Sequence, residues 1–451
     1  MAFVRSSKFR HIFGKKYANE NTFTNVRLTE INFDGVVITA NAKFLAFVVK
    51  TGGGGAFGVL PIEKYGRLDQ SFPKVEGHEK DVLVLAWNPF NDNCIASGDD
   101  KGVIKIWEIP DGGIKESITE PLLELSDHQR RVQLLTWHCS AENILFSASA
   151  DCDIIVWNLE SAEAIASCSF PGFLYSMSLN EDGSNIVVSC KDKKFRVLDT
   201  RTLEKKSEWD GHQGSKPQFI EYANYNMFLS TGFSRMSERE LAAWSQTDQK
   251  KLTLTSLDTS NSPLHIYYDS DLNVVFLTGK GDAAVRYYEL VEDAPYLHFL
   301  SNYVESTAHN RIGTVCKRAV NPHLKEICRF YRYESKNIIS VSSMIVPRKS
   351  DTFQEDIFPD TNSDVPALSA SEWVSGKNAK PNKMSFQASF NGQSVKSNST
   401  TKKAGIGLKK VIKPAGGEGG EDEFTALKKE VQKLKSTVET LEARVKTLEQ
   451  K

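Results

Sequence analysis

The sequence predicts an all-β fold, a β-propeller built from repeated four-stranded units, followed by an α-helical coiled coil at the C-terminal end. Three observations support this prediction: short apolar runs of strand type between about residues 30 and 345, a long-range repeat of those runs, and four heptads at the end of the chain. Gly, Asp and Asn interrupt the runs every few residues, and almost none of the runs has helical periodicity.

The apolar runs recur at a regular interval. Five of them end at Trp107, Trp157, Leu198, Trp244 and Tyr288. These ends lie roughly 40–50 residues apart, which suits a propeller blade of four strands with loops of variable length. We count residues 24–70 as a first blade and 296–345 as a last blade that the N-terminal strand closes, so that no sheet edge stays open. The sequence therefore predicts a seven-bladed propeller over residues 1–345.

Dipeptides ending in histidine precede three of these repeats, as is typical of WD repeats. An acidic residue also stands six positions before four of the strand ends, at Asp151, Asp192, Glu238 and Asp282. In the WD pattern this acid hydrogen-bonds the histidine, which in turn reaches a strand hydroxyl and the tryptophan nitrogen. We therefore expect a structural role for His78, His128, His212, Asp151, Trp107 and Trp157.

Two segments of different composition follow the propeller. Residues 346–390 are rich in proline and charge but contain Phe353, Phe358 and Trp373, which indicates an extension packed on the propeller. Residues 391–420 contain no aromatic residue, seven glycines, and six lysines against one acid. This composition predicts a flexible basic linker.

The last segment, residues 421–451, is a heptad array that predicts a parallel coiled coil and hence a homo-oligomer. The a and d positions are Phe424, Leu427, Val431, Leu434, Val438, Leu441, Val445 and Leu448. β-Branched a positions with leucine at d favour a dimer. Arg444 begins a heptad that is similar to a trimer motif, with glutamine in place of its last glutamate, so two and three chains both stay open.

Composition and motifs favour a binding protein without cofactor or metal. The 56 basic and 57 acidic residues give a net charge of −1, so no global charge attracts nucleic acid. Seven scattered cysteines without a CxxC pair favour a reducing compartment, and no apolar segment is long enough to cross a membrane. The glycine run at 52–55 lacks the Lys-Ser/Thr of a phosphate loop, and hydrolase and zinc motifs are absent from the sequence. We expect a cytoplasmic protein that is not an enzyme.

Several stretches resemble the coronin family in detail. They include VRSSKFRHIFG (4–14), KFLAFVVKTGGGGAFGVLP (43–61), GFSRMSERELAAW (232–244), VPRKSDTFQEDIFPDT (346–361) and EWVSGKNAKP (372–381). The resemblance implies a propeller that binds actin filaments at the cell cortex and a coiled coil that lets the oligomer bundle them. It also implies work in actin turnover and motility, often with the Arp2/3 complex and cofilin. A general WD-repeat scaffold for vesicle-traffic or signalling complexes is the alternative.

The resemblance also suggests individual contact residues. Arg27 falls on the exposed arginine with which the family contacts filaments, and a guanidinium suits the acidic actin surface. Lys8 and Arg10 in the N-terminal stretch are weaker candidates. The linker lysines form either a second filament contact or a spacer, and they are Lys396, Lys402, Lys403, Lys409, Lys410 and Lys413.

Overall fold

Seven β-sheets form a ring, so the predicted seven-bladed β-propeller is confirmed. The computed structural model describes residues 5–30 and 35–391. All of them belong to the first of two compact units into which the chain divides, Met1–Leu408 and Lys409–Lys451. The predicted linker, apart from residue 391, and the predicted coiled coil lie outside the described residues.

Blades are numbered in chain order, and the strands of each blade run from the ring axis outward. Blade 1 contains Ile38–Ala40, Phe44–Val49, Gly55–Pro61 and Val75–His78. Blade 2 contains Val82–Trp87, Cys94–Asp99, Ile104–Glu108 and Leu123–Leu125. Blade 3 contains Val132–Trp137, Ile144–Ser149, Asp153–Asn158 and Glu163–Ser169. Blade 4 contains Leu174–Leu179, Asn185–Cys190, Lys194–Asp199 and Lys205–Asp210. Blade 5 contains Phe219–Ala223, Met227–Phe233, Arg239–Ser245 and Lys251–Asp258. Blade 6 contains Leu264–Asp269, Val274–Gly279, Ala284–Leu290 and Leu297–Val304.

Blade 7 is completed by the N-terminal part of the chain. Its first three strands are His309–Thr314, Glu326–Glu334 and Ile338–Ile345, and its outer strand is Phe13–Lys16. Further along, Phe23–Thr24 also pairs with the third strand of blade 7, Ile338–Ile345. Phe23–Thr24 pairs in addition with the short strand Gly66–Arg67, which lies between the third and fourth strands of blade 1. A bridge between Ala40 and Val315 joins the inner strands of blades 1 and 7. These pairings join the two ends of the propeller.

The two faces of the ring carry different turns. Because neighbouring strands of a blade are antiparallel, the turns after second strands lie on one face, the upper face. The turns after first and third strands lie on the lower face. Three short 3-10 helices occur in the described loops, at Asn19–Asn21, Lys317–Ala319 and Pro322–Leu324.

Packing between blades forms the core. The second strands Phe44–Val49 and Ile144–Ser149 are buried at every position, because each blade packs between two neighbouring sheets. The strand ends that define the sequence repeat, such as Trp107 and Trp157, lie on third strands. The repeat is therefore the spacing between corresponding third strands of successive blades.

A hydrogen-bonded chain of four side chains fixes blade 3. The Trp157 indole N–H donates to the Ser147 hydroxyl at 2.8 Å, and this hydroxyl donates to Nε2 of His128 at 2.7 Å. Nδ1–H of His128 then donates to Asp151 at 3.0 Å. The same arrangement in blade 2 consists of Trp107, Ser97, His78 and Asp99. In these four-residue networks every buried polar side-chain atom that forms the links has a partner. The network therefore fixes strand register without leaving one of these groups desolvated and unpaired.

Blade 5 has the same network with a different acid. His212 contacts Glu240 at 2.9 Å, whereas Glu238, which the spacing selected, hydrogen-bonds Ser234 instead. The expectation for Glu238 is therefore wrong. The turn before the third strand is longer here, from Ser234 to Glu238, and the acid consequently sits on the strand itself.

The carboxylates of the other two acids chosen by spacing pair with arginines. Asp192 pairs with Arg196 in blade 4, and Asp282 of blade 6 pairs with Arg239 of blade 5 at 2.9 Å. Arg239 also pairs with Asp258 at 2.7 Å. Each of these acids is thus satisfied by a guanidinium, whose fork of N–H donors can pair with two carboxylates at once.

A buried charge cluster holds the N-terminal strand in blade 7. Arg332 is fully buried and lies 3.1 Å from Glu305, and Lys16 lies 2.9 Å from Glu334 and 3.5 Å from Glu305. Burial alone would raise the pKa of Glu334, but hydrogen bonds from Ser340 and Lys16 and the Arg332 charge hold it below its usual value. Two cations balance two carboxylates only when the strand bearing Lys16 is docked.

Residues 346–390 lie along the lower face. Their secondary structure consists of the paired strands Thr361–Asn362 and Lys383–Met384 and the helices Ala370–Val374 and Phe386–Phe390. Trp373 is buried against His138 and Phe146 of blade 3, and its carbonyl accepts a 2.6 Å hydrogen bond from Arg201 of blade 4. Lys383 pairs with Asp271 of blade 6 at 3.3 Å. This segment therefore ties several blades together.

The His138 side chain accepts backbone hydrogen bonds in the turn after the first strand of blade 3, where other blades use an asparagine. Its Nδ1 accepts the backbone N–H groups of Ser140 and Ala141, as Oδ1 of Asn88 accepts those of Phe90 and Asn91 in blade 2. Burial lowers the pKa of His138 to about 4. The imidazole is neutral in the fold, so acidification below the ordinary histidine pKa favours the unfolded chain.

We expect His138→Asn to keep the turn and reduce the acid sensitivity of the propeller. Between a folded pKa of about 4 and an unfolded value of 6.5, the histidine costs about 2 kcal/mol of stability at about pH 5, and none above about pH 7.5. Urea unfolding of both proteins at the two pH values measures this difference. An equal loss of stability on acidification in the two proteins would contradict the assignment.

We expect Lys16→Met to lower the free energy of unfolding by about 1–3 kcal/mol, because it leaves the carboxylates of blade 7 with one cation. The loss is below that of a fully buried pair because the Lys16 side chain is 30% exposed. Lys15→Met is the matched control, since Lys15 is exposed on the same strand. Equal stability of the two variants in thermal unfolding would show that the cluster does not hold the strand.

Candidate functional site

Arg27 lies on the upper face, beside blade 1. Its backbone carbonyl accepts the N–H of Lys50 at 2.9 Å, and the next residue, Leu28, bridges Val49. Val26 and Leu28 are buried on either side, so the extended backbone directs Arg27 outward. Within residues 5–30 and 35–391, its guanidinium makes no ion pair. The arginine is thus presented to solvent by a fixed segment of backbone.

Lys8 and Arg10 lie elsewhere. The ammonium of Lys8 donates to the carbonyl of Asp356 in the C-terminal extension at 2.5 Å, and Phe9 between them is buried. The strand that follows begins at Phe13 opposite Ile345, at the lower end of blade 7. Lys8 and Arg10 therefore precede the lower end of this strand, and the structure does not bring them together with Arg27 on the upper face.

The histidines of the repeat networks are not available for other chemistry. The side chains of His78, His128 and His212 are at most 1% exposed, and both ring nitrogens of each are hydrogen-bonded. Desolvation by burial lowers the pKa of His128 and His212 despite the neighbouring acids. Within the described ranges, no group of His, Cys, Asp and Glu side chains could hold a metal.

The lower mouth of the central channel is a cavity of about 670 Å³. The charged side chains that line it are already paired: Lys317 with Asp269, Arg318 with Asp92 at 2.6 Å, and Asp271 with Lys383 at 3.3 Å. Residues 361–363 of the extension form part of its wall. Among the described residues, the lining of the cavity therefore offers no unpaired charge to a ligand.

Sequence reasoning missed several residues near Arg27 and in the networks. Lys50 adjoins Arg27 and pairs with Glu30 at 2.8 Å, a proximity that arises only when the N-terminal segment lies against blade 1. Asp99, Ser97 and Ser147 complete the networks, and strand alternation around the tryptophans was the signal that could have found the serines. The linker lysines and all the heptad residues lie outside the described residues.

Comparisons with known proteins match both ends of the propeller. A domain of unknown function (DUF1899) matches residues 2–67, a WD domain, G-beta repeat, matches 70–108, and a type of WD40 repeat matches 339–381. The first and last of these matches contain the strands that close the ring. None of the described helices is long and apolar enough to cross a membrane.

Two relatives and one solved structure that resemble this chain are coronins. The chain is 41% identical over 393 residues to Coronin-2A of Bos taurus, covering 85% of this chain and 74% of the relative. It is 40% identical over 387 residues to Coronin-2A of Homo sapiens, covering 84% and 73%. The WD40 domain of Toxoplasma gondii coronin superposes with a TM-score of 0.79 at 26% identity, covering 84% of this chain and 97% of that domain. A chain of the Mitotic Checkpoint Complex shares the fold alone, with a TM-score of 0.53 and 12% identity over 74% of this chain and 98% of that one. With such similarity over most of both chains and a propeller closed by its N-terminal strand, this chain belongs to the coronin family.

Proposed function

We propose that this protein binds actin filaments through the upper face of its propeller and bundles them by self-association of its C-terminal heptads. The exposed Arg27 is the single observation that carries the proposal. Buried neighbours hold its backbone in place, and its guanidinium makes no ion pair within the described part of the chain. An arginine of this kind can pair bidentately with a carboxylate of a partner at a small entropic cost.

The position at which the described chain ends suits a cross-linker. Phe390 stacks on His323 at 4.3 Å and packs near Phe353. His323 belongs to the loop after the inner strand of blade 7, so residue 391 leaves from the lower face. The linker therefore begins, at residue 391, on the face opposite Arg27. Self-association of the heptads would gather several upper faces, and effective concentration then multiplies weak filament contacts.

Two further parts of the proposal rest on family membership. The protein would act in the cytoplasm, at the cell cortex, in actin dynamics and motility, with the Arp2/3 complex and cofilin as partners. It would act by binding and not by catalysis, in keeping with repeat histidines whose nitrogens are all engaged in structure. A general WD-repeat scaffold is the competing function, and loss of filament binding on changing Arg27 alone separates the two.

We expect Arg27→Asp to abolish co-sedimentation with actin filaments at high speed while leaving the melting temperature unchanged. The substitution reverses an exposed charge and removes no packing contact. Lys115→Asp is the matched control, because it reverses an exposed cation in a lower-face loop of blade 2 that is not a candidate contact. Filament binding by the Arg27 variant at the level of the intact protein would rule out the proposed site.

We expect a truncation ending at residue 420 to bind filaments but not to bundle them, because it keeps the propeller and lacks the heptads. High-speed pelleting measures binding and low-speed pelleting measures bundling. Leu434→Asp with Leu441→Asp in the full chain tests the same point, since two charges at d positions oppose helix association. Bundling by the truncated protein would show that cross-linking does not need the heptads.

A further inference from the structure

Three cations from separate parts of the sequence meet on the upper face where blades 7 and 1 join. The first two are Arg27 and Lys50, whose backbones share a hydrogen bond of 2.9 Å. The third is Lys336, whose neighbour Asn337 accepts the backbone N–H of Val26 through its carbonyl, also at 2.9 Å. The three side chains thus branch from three adjoining backbone segments. We call this set the junction ridge.

The turn that carries Lys336 directs its side chain into solvent. It is a three-residue turn between the second and third strands of blade 7, and Lys336 and Asn337 have φ angles of 69° and 60°. The Tyr333 hydroxyl donates to the Asn337 side chain at 2.8 Å, which ties the turn to its own strand. Lys336 is exposed and makes no ion pair with any residue that the structure describes. Its position is therefore set by the backbone, and its charge has no ion-pair partner within residues 5–30 and 35–391.

The charge balance of the junction ridge favours an acidic partner. Lys50 pairs with Glu30 at 2.8 Å, and both side chains are largely exposed, at 56% and 78%. Arg27 and Lys336 have no such carboxylate among the described residues, so this group of four side chains carries two net positive charges. Because the whole chain has a net charge of only −1, this local excess stands out against a balanced surface.

We infer that Lys336 and Lys50 act with Arg27 as one electrostatic contact for carboxylates on the surface of the actin filament. This inference rests on the proposed function and extends it from a single arginine to a ridge built by ring closure. Glu30 restrains the contact, because it occupies Lys50 and repels acidic groups of the partner. Screening by salt weakens exposed pairs of this kind, so the contact depends on ionic strength.

The test is co-sedimentation of the full-length chain with actin filaments over a series of salt concentrations. We expect Lys336→Glu to weaken binding by about two- to five-fold, with a shallower salt dependence, in line with an exposed ion pair. We expect Glu30→Gln to tighten binding by about two-fold, since it releases Lys50 and removes the acid. A gain in affinity of this kind does not result from misfolding. Lys115→Glu is the matched control, because Lys115 is an exposed lysine in a lower-face loop of blade 2.

The outcomes separate the inference from the proposed function. The ridge is overturned if Lys336→Glu binds filaments as Lys115→Glu does, or if Glu30→Gln fails to tighten binding. The arginine site still stands in that case, provided that Arg27→Asp no longer pellets with filaments. If the intact protein does not pellet with filaments, both are overturned. Weakening by Lys336→Glu together with tightening by Glu30→Gln supports the ridge.

Discussion

Closure of the ring by the N-terminal strand is the constraint on which the other features of this propeller depend. Blade 7 obtains its outer strand, Phe13–Lys16, from the opposite end of the chain, and the inner strands of blades 7 and 1 meet through Ala40 and Val315. Each blade packs between two others, so an open ring would expose two buried sheet faces. The charges of Lys16, Glu305, Arg332 and Glu334 tie this closure to electrostatic balance.

Closure also builds the candidate site. The segment after the closing strand passes the turn of blade 7, where Val26 bonds Asn337, and then pairs with blade 1, where Leu28 meets Val49. Arg27 lies between these two anchors, so its direction follows from the way in which the ends of the chain are joined. The position of Arg27 therefore depends on the stability of the closure, because loosening it would release the arginine from its fixed backbone.

The blades solve the problem of buried polar groups in different ways. Blades 2, 3 and 5 use a histidine with an acid, a serine and a tryptophan. Arg196 pairs with Asp192 in blade 4, and Arg239 of blade 5 pairs with Asp258 in its own blade and with Asp282 of blade 6. Each arrangement pairs its donors with acceptors inside a region of low dielectric, where an unpaired group costs about 1–3 kcal/mol. Divergent repeats can thus keep one backbone shape, provided that the pairing is complete.

The sequence by itself determined the repeat, the all-β class and the blade count, because strand runs and the Trp107 and Trp157 ends are local patterns with a fixed period. Through family resemblance, it also indicated Arg27 as a candidate contact residue. Only the tertiary structure decided that Glu240 and not Glu238 meets His212, since turn length sets which side chain reaches the ring. Only the tertiary structure shows that Lys8 lies far from Arg27 and that Lys336 lies beside Arg27. Such contacts join residues hundreds of positions apart, and they arise from the closure of the ring, which no local pattern encodes.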